Sequence, residues 1–169
     1  MAVENLTGSN VLTNLVAVPP IVSGVSFAGG RHRTFIETVE VSASASASST
    51  YHLARIPSSA VILATSKLFF DDLASSGSPT VDLGLYNISG ATDITDDVDA
   101  LNDGIDVTSA GSSDVLKTPV DQSTKRVFEL VGSAPTADPL VMLDLKAAIL
   151  DAATNTGGTM TLMLNYVVD

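Results

Sequence analysis

Apolar and polar positions alternate with a period of two along much of the chain after residue 32. In residues 33–41, one side of an extended chain would carry Phe35, Glu37, Val39 and Val41, and the other Thr34, Ile36, Thr38 and Glu40. Such alternation, rich in β-branched and aromatic residues, predicts a β-strand. Further segments of strand character are residues 51–56, 61–70, 80–86, 140–148 and 159–168.

The pattern also predicts which side chains of these strands share a face. In residues 61–70 we expect Lys67 on one face and the apolar set on the other, namely Ile62, Ala64, Leu68 and Phe70. In residues 80–86 we expect Asp82 opposite Val81, Leu83 and Leu85. The turn signal of Pro57, Ser58 and Ser59 separates the second strand from the third.

The last two segments are expected to form a closing pair of strands, with Gly157 and Gly158 in the connection over residues 151–158. Residues 159–168 are apolar on both faces, which suits a central strand. Four alanines make residues 140–153 compatible with a helix as well: Ala147, Ala148, Ala152 and Ala153. Strand is favoured only for the first half of that segment.

Two stretches between the strands are less regular. Residues 42–49 (SASASASS) fit either a flat edge segment or a loop. Residues 87–123 form a long acidic excursion, in which Val98, Leu101 and Ile105 have helical spacing and predict one or two helical turns.

Six or more short strands without regular βα alternation predict an all-β fold, an antiparallel β-sandwich or jelly roll, over residues 31–169. Residues 1–30 are expected to be an extended N-terminal arm, since Pro19 and Pro20 exclude a helix interior there. The arm is either disordered or a strand-like segment that orders on a neighbouring subunit. Its candidate contact residues are Val11, Leu12, Leu15, Val16, Val18, Pro19, Pro20, Ile21 and Phe27.

The charge balance narrows the range of partners. Eight Lys and Arg against 19 Asp and Glu give a net charge of −11, so a phosphate-binding surface is disfavoured and no nucleic-acid partner is expected. The uncharged run of residues 5–30 lacks a basic start and is broken by prolines, so neither a signal peptide nor a membrane span is predicted. Cysteine is absent, which excludes disulfides and thiolate sites.

No catalytic or metal-binding motif is complete. His32 is interpreted as a solvated surface residue and His52 as a sheet-face residue, and two such histidines do not make a zinc site. Residues 24–28 (GVSFA) miss the nucleophile elbow by one residue. An EF-hand with Gly104 at its sixth position would need an oxygen ligand where Leu101 stands. An irregular calcium loop and an unrecognised carboxylate hydrolase stay open, but we expect no enzyme, cofactor or metal.

Several short segments together resemble the head decoration, or cement, proteins of tailed bacteriophages. They are residues 51–60 (YHLARIPSSA), 61–70, 81–86 (VDLGLY), 96–101 (DDVDAL), 129–132 (ELVG), 137–139 (ADP) and 158–168. In order and spacing they cover about residues 31–169.

The resemblance implies a β-sandwich subunit that sits on the outside of the assembled phage head and bridges capsomers. Its partner would be the major capsid protein, and its location the virion exterior after synthesis in the cytoplasm of a host bacterium. The resemblance also implies a homo-oligomer, with a trimer as the expected state. The alternatives are another virion component, such as a tail or fibre-attachment subunit or a receptor-binding jelly roll, and an unclassified bacterial β-domain.

Overall fold

A computed structural model describes residues 30–87 and 94–168. The described chain is almost entirely β-structure. Its nine strands are β1 (Arg31–Val41), β2 (Thr50–Pro57), β3 (Val61–Ile62), β4 (Lys67–Phe70), β5 (Thr80–Asn87), β6 (Asp97–Asp106), β7 (Gly111–Asp114), β8 (Met142–Leu150) and β9 (Gly158–Val168). Two short helical turns interrupt them, α1 (Pro119–Gln122) and a 3-10 turn (Val127–Glu129).

The strands form two antiparallel sheets. The first has the order β1-β9-β4-β7, with β3 beside β4 along the same edge of β9, and the second has the order β2-β8-β5-β6. The pairing is nested, because β1 pairs with β9, β2 with β8, β4 with β7 and β5 with β6. Nested antiparallel pairing over two packed sheets is a jelly roll. The predicted antiparallel sandwich is therefore confirmed.

The core lies between the central strands of the two sheets. Val81, Leu83 and Leu85 of β5 point inward at every second position and are fully buried. From the facing sheet, Leu68 of β4 and Leu162 of β9 are equally buried. Each such side chain contributes about 1.5–3 kcal/mol on leaving water. The predicted central position of the last strand is confirmed, since β9 pairs with β1 on one side and with β3 and β4 on the other.

The segment 61–70 is two strands instead of one, which corrects the prediction. Between β3 and β4 the chain turns, and Ser66 N–H donates to the carbonyl of Leu63. The Ser66 hydroxyl donates to Asn165 O and accepts from Asn165 N–H, so β9 holds the turn in place. The turn interrupts the strand, and Ala64 is exposed instead of sharing the buried face of Ile62 and Leu68.

The helical prediction for residues 98–105 is wrong. That stretch lies in β6, and the helical turn of the acidic excursion comes later, at α1. Leu101 and Ile105 are buried; a spacing of four residues places two side chains on one face of a strand as well as of a helix. Asp82 lies on the outer face of β5, as predicted. It is nevertheless buried, and it accepts a hydrogen bond from Gly104 N–H at 2.7 Å.

The predicted closing pair is wrong, because β8 and β9 lie in different sheets. β8 continues as a strand to Leu150, so Ala147 and Ala148 lie in a strand and not in a helix. The connection to β9 fastens the loop of residues 42–49: Thr154 Oγ1 donates to Ser42 O at 2.7 Å and accepts from Ala45 N–H at 3.0 Å. Residues 42–49 therefore form a loop and not an edge strand.

Candidate functional site

One side of the sandwich is built from the edge strands of both sheets. β1 ends the first sheet and β2 ends the second, and the two strands contact each other. Between them lies an open cleft of about 510 Å³. It is lined by Phe35, Glu37, Val39, His52, Leu53, Ala54 and Arg55. Because the same sandwich side exposes two strand edges and a cleft, it is the candidate contact surface of the described chain.

A buried carboxylate organises the β2 side of this surface. Asp144 of β8 is 7% exposed in its side chain and accepts from Arg55 Nε at 2.8 Å. His52 Nε2 lies 3.1 Å from the same Asp144 oxygen and 3.0 Å from the carbonyl of Ala54. Since both neighbours are acceptors, Nε2 carries a proton. The hydrogen bond to Asp144 raises the pKa of Arg55, so the guanidinium stays charged.

This arrangement positions the side chains of His52 and Arg55 against Asp144. Both contacts of His52 Nε2 are acceptors, so this nitrogen holds the ring in place instead of accepting a proton from a substrate. Beside it, Lys146 Nζ lies 4.5 Å from the centre of the Tyr86 ring. The outer face of β2, β8 and β5 thus carries the contacts of Arg55 and His52 with Asp144 and of Lys146 with Tyr86.

The β1 side is far more open. Phe35 is 39% exposed and Ile36 is 63% exposed, although they point to opposite faces of the strand. Side-chain hydrogen bonds hold β1 to β9: Thr34 Oγ1 donates to Asn165 Oδ1 at 2.8 Å, and the hydroxyls of Thr38 and Thr161 lie 2.9 Å apart. β1 is therefore a fixed strand that is exposed on both faces over residues 31–38, and no described strand pairs with its outer edge.

The strands at the two ends of each sheet order, β1 and β7 in the first sheet and β2 and β6 in the second, differ in how well they could pair with another strand. β7 has only four residues. β6 is acidic and its pairing with β5 contains two register shifts, while β2 has a bulge between His52 and Ala54. Short, charged or bulged edges resist pairing with other chains. β1 has 11 residues in unbroken register with β9, so it is the longest regular edge of the described chain.

The predicted contact residues of the arm, between Val11 and Phe27, lie outside the described residues, as do the elbow-like residues 24–28. His32 is exposed on β1, as expected of a surface residue. Sequence reasoning missed the cleft and the Asp144 cluster, because Arg55 and Asp144 are 89 positions apart. The only available signal was an arginine and an aspartate in separate predicted strands.

The acidic residues of the excursion are spread along a strand. Asp97, Asp99, Asp103 and Asp106 belong to β6, and Asp93 lies outside the described residues. The hydrogen bond with Asp97 raises the pKa of Asp99. Within residues 30–87 and 94–168, no three His, Cys, Asp or Glu side chains are grouped as a metal ion would need. No helix in these same ranges is long and apolar enough to cross a bilayer.

The nested two-sheet topology recurs in solved phage structures. A chain from the capsid of Ralstonia phage GP4 superimposes with a TM-score of 0.60 at 18% identity, over 83% of this chain and 86% of that chain. A chain from the cyanophage Pam1 capsid asymmetric unit gives a TM-score of 0.51 at 15% identity, over 84% of this chain and 88% of that chain. The chain shares their fold. No protein-family model and no curated protein matches the sequence.

Proposed function

We propose that this protein is a virion structural protein, a capsid decoration or cement subunit that binds the outer surface of a phage head. Its partner is the major capsid protein, and by bridging neighbouring capsomers it stabilises the shell. The observation that carries the proposal is the jelly-roll topology, shared over more than four fifths of the chain with chains of two phage capsids. The sequence resemblance to head decoration proteins supports the same role.

The charge of the chain supports an exterior location. A net charge of −11 repels packaged DNA, whereas a protein lining the genome would be basic. Along the described strands, β6 concentrates this charge on an edge with Asp97, Asp99, Asp103 and Asp106. The protein is made in the cytoplasm of the host bacterium and becomes part of the virion exterior.

The contact with the shell is proposed to use the N-terminal arm. An uncharged, apolar segment such as residues 11–27 can add a strand to a neighbour's sheet edge, where main-chain hydrogen bonds supply the affinity. A shell offers many identical sites, so an oligomeric subunit binds more tightly than a single contact allows. The proposed role is structural and requires neither catalysis nor a cofactor.

Binding to phage heads that lack the protein is the direct test. Purified protein is mixed with such heads and sedimented, and we expect saturable co-sedimentation at a fixed ratio to the major capsid protein. Saturated heads should also open at a higher temperature than bare heads, because a bridging subunit binds only the assembled shell. The matched control is the same amount of protein sedimented without heads.

Two results would contradict the proposal. Protein that stays in the supernatant at stoichiometric amounts does not bind heads. Protein that co-sediments with purified tails and not with heads is a tail or fibre-attachment component instead. For the exterior location, protease added to DNA-filled heads should digest the bound protein, and complete protection would place it inside.

A further inference from the structure

The strand β1 carries a charge pattern that is complementary to itself when reversed. Its first three residues are Arg31, His32 and Arg33, and its second half contains Glu37 and Glu40. Arg31 and Arg33 are two of only eight Lys and Arg in the chain. In an antiparallel pair of two β1 strands, the basic start of each copy would face the acidic half of the other. The edge of β1 with which no described strand pairs therefore offers opposite charges to a second copy of itself.

Antiparallel geometry allows only some registers for such a pair. Side chains directly opposite each other must lie on the same face, so a two-fold axis passes beside one residue of β1. With the axis at Phe35, Arg33 of each copy lies opposite Glu37 of the other, which gives two opposite-charge pairs. With the axis at Glu37, two glutamates would face each other.

The remaining registers are poorer. An axis at Thr34 sets Arg31 opposite Glu37 but pairs a shorter length of strand. An axis at Ile36 sets only His32 opposite Glu40, and no arginine opposite a glutamate. Directly opposed charges of unlike sign stabilise a strand pair, and like charges destabilise it. The axis at Phe35 is therefore the register that the charge pattern favours.

The surroundings of Phe35 suit this register. Phe35, Glu37 and Val39 line the cleft beside β2, so Phe35 of each copy would lie against its mate over the two clefts. Cross-strand aromatic pairs of this kind are favourable. The ion pairs of Arg33 and Glu37 would flank this contact on the same face, partly shielded from water.

We propose that two copies of this protein associate by antiparallel pairing of β1 with β1, across a two-fold axis at Phe35. The first sheet of each copy continues into the first sheet of the other, and the exposed main-chain groups of β1 are paired. This contact is independent of the proposed function, since it is formed by the isolated protein. The trimer implied by the sequence resemblance would use a different interface.

Substitutions that reverse the charges of Arg33 and Glu37, singly and together, test the pairing of β1 with β1. The concentration dependence of mass is measured by sedimentation equilibrium at roughly physiological ionic strength, because low salt would exaggerate repulsion between acidic molecules. Arg33→Glu and Glu37→Arg should each weaken the dimer by roughly tenfold or more, because each turns two attractive pairs into two repulsive ones. The double variant Arg33→Glu with Glu37→Arg should restore dimerisation.

Disulfide cross-linking through one introduced cysteine tests the register directly, since the natural chain contains no cysteine. Paired Cα atoms across an antiparallel ladder are about 4.5–5.5 Å apart, which is within disulfide range. Oxidised Phe35→Cys protein should therefore run as a covalent dimer. The matched control is Thr38→Cys on the same strand, whose mate would be offset by six residues, or about 20 Å, and which should remain uncrosslinked.

Each outcome decides the proposal. All positions changed are exposed on β1, and a thermal melt of each variant verifies that it is folded. A wild type that is monomeric at every concentration, or a dimer that both single charge variants leave unchanged, overturns the proposal. So does a double variant as weak as the singles, or cross-linking at position 38 in preference to position 35.

Discussion

The main chain of β6 passes so close to Gly84 that no side chain fits between the strands. A Cβ atom at this position would lie 2.5 Å from the carbonyl oxygens of Asp97 and Val98. Because both are main-chain atoms of a paired strand, relief requires β5 and β6 to separate. We expect Gly84→Ala to lower the free energy of unfolding by about 2–3 kcal/mol, measured by urea denaturation. The control Gly111→Ala, whose Cβ would lie 3.6 Å from the Phe70 ring, should change it little, and equal losses would contradict this explanation.

Two ion pairs of similar length differ in the burial of the carboxylate. Asp144, paired with Arg55, is 7% exposed, whereas Asp103, paired with Lys117, is 53% exposed. Removing Arg55 leaves the buried carboxylate of Asp144 with His52 as its remaining side-chain partner, whereas removing Lys117 leaves the exposed carboxylate of Asp103 in water. Arg55→Met should therefore lower the melting temperature clearly more than Lys117→Met. Similar shifts for the two variants, seen by calorimetry, would show that the Asp144 cluster is not sheltered from water.

The contact between Arg55 and Asp144 could not be predicted from the sequence, for a physical reason. Alternation along β2 and β8 predicts which side chains face outward, but not that Arg55 stands opposite Asp144. Register depends on the bulge between His52 and Ala54, and nothing local to residues 50–57 marks it. The pairing of charges on this face therefore needed the structure.

At the scale of one element, β6 combines two carboxylates whose pKa values shift in opposite directions. The hydrogen bond with Asp97 raises the pKa of Asp99, and the hydrogen bonds from Thr108 lower that of Asp106. For Asp99, whose pKa is higher in the folded protein than in the unfolded chain, stability falls as the pH rises from the unfolded-state pKa to the folded-state pKa. Asp106, whose folded-state pKa is lowered, contributes stability that is present above the unfolded value of about 3.9 and lost as pH falls through the folded value.

Asp99→Asn should therefore raise the melting temperature at pH 7, and this gain should vanish near pH 3, where Asp99 is protonated in both states. Asp106→Asn, on the same strand, should lower the melting temperature at pH 7 and lose its effect on acidification. Melting curves from pH 3 to pH 7 measure both variants. Changes in melting temperature of the same sign for the two variants at pH 7 would contradict the opposite pKa shifts of Asp99 and Asp106.

Elements were predictable where the sequence pattern fits one structure and ambiguous where it fits two. Residues 33–41 are identifiable as a strand from their period-two pattern, and residues 159–168, although apolar on both faces, from their run of β-forming and apolar residues. The helix proposed around Leu101 failed because buried residues four apart suit a strand equally well. Nearness in sequence predicts that the last two strands pair with each other, but in this jelly roll β8 and β9 lie in opposite sheets.

For the molecule as a whole, the start of the described chain lies at the candidate contact surface. The described chain begins at Gly30 and enters directly into β1, the edge strand that leaves Phe35 and Ile36 exposed. Residues 1–29 therefore connect to the sandwich at its longest regular edge. The acidic strand β6 is the edge of the other sheet farthest from β2. The uncharged N-terminal segment thus connects to an edge of one sheet, and the acidic strand β6 forms an edge of the other.

Removing residues 2–28 separates the proposed arm from the sandwich. The core cluster of the described residues extends from Val41 to Leu164, so we expect the shortened protein still to melt in one cooperative transition. Its binding to heads should fall sharply, because all nine proposed contact residues between Val11 and Phe27 are lost. The control variant lacks residues 2–10 only, retains those nine residues and should bind heads fully. Sedimentation with heads and calorimetry measure the two properties. Full binding by the shorter protein would remove the arm from the contact, and loss of its cooperative transition would make the arm part of the folded domain.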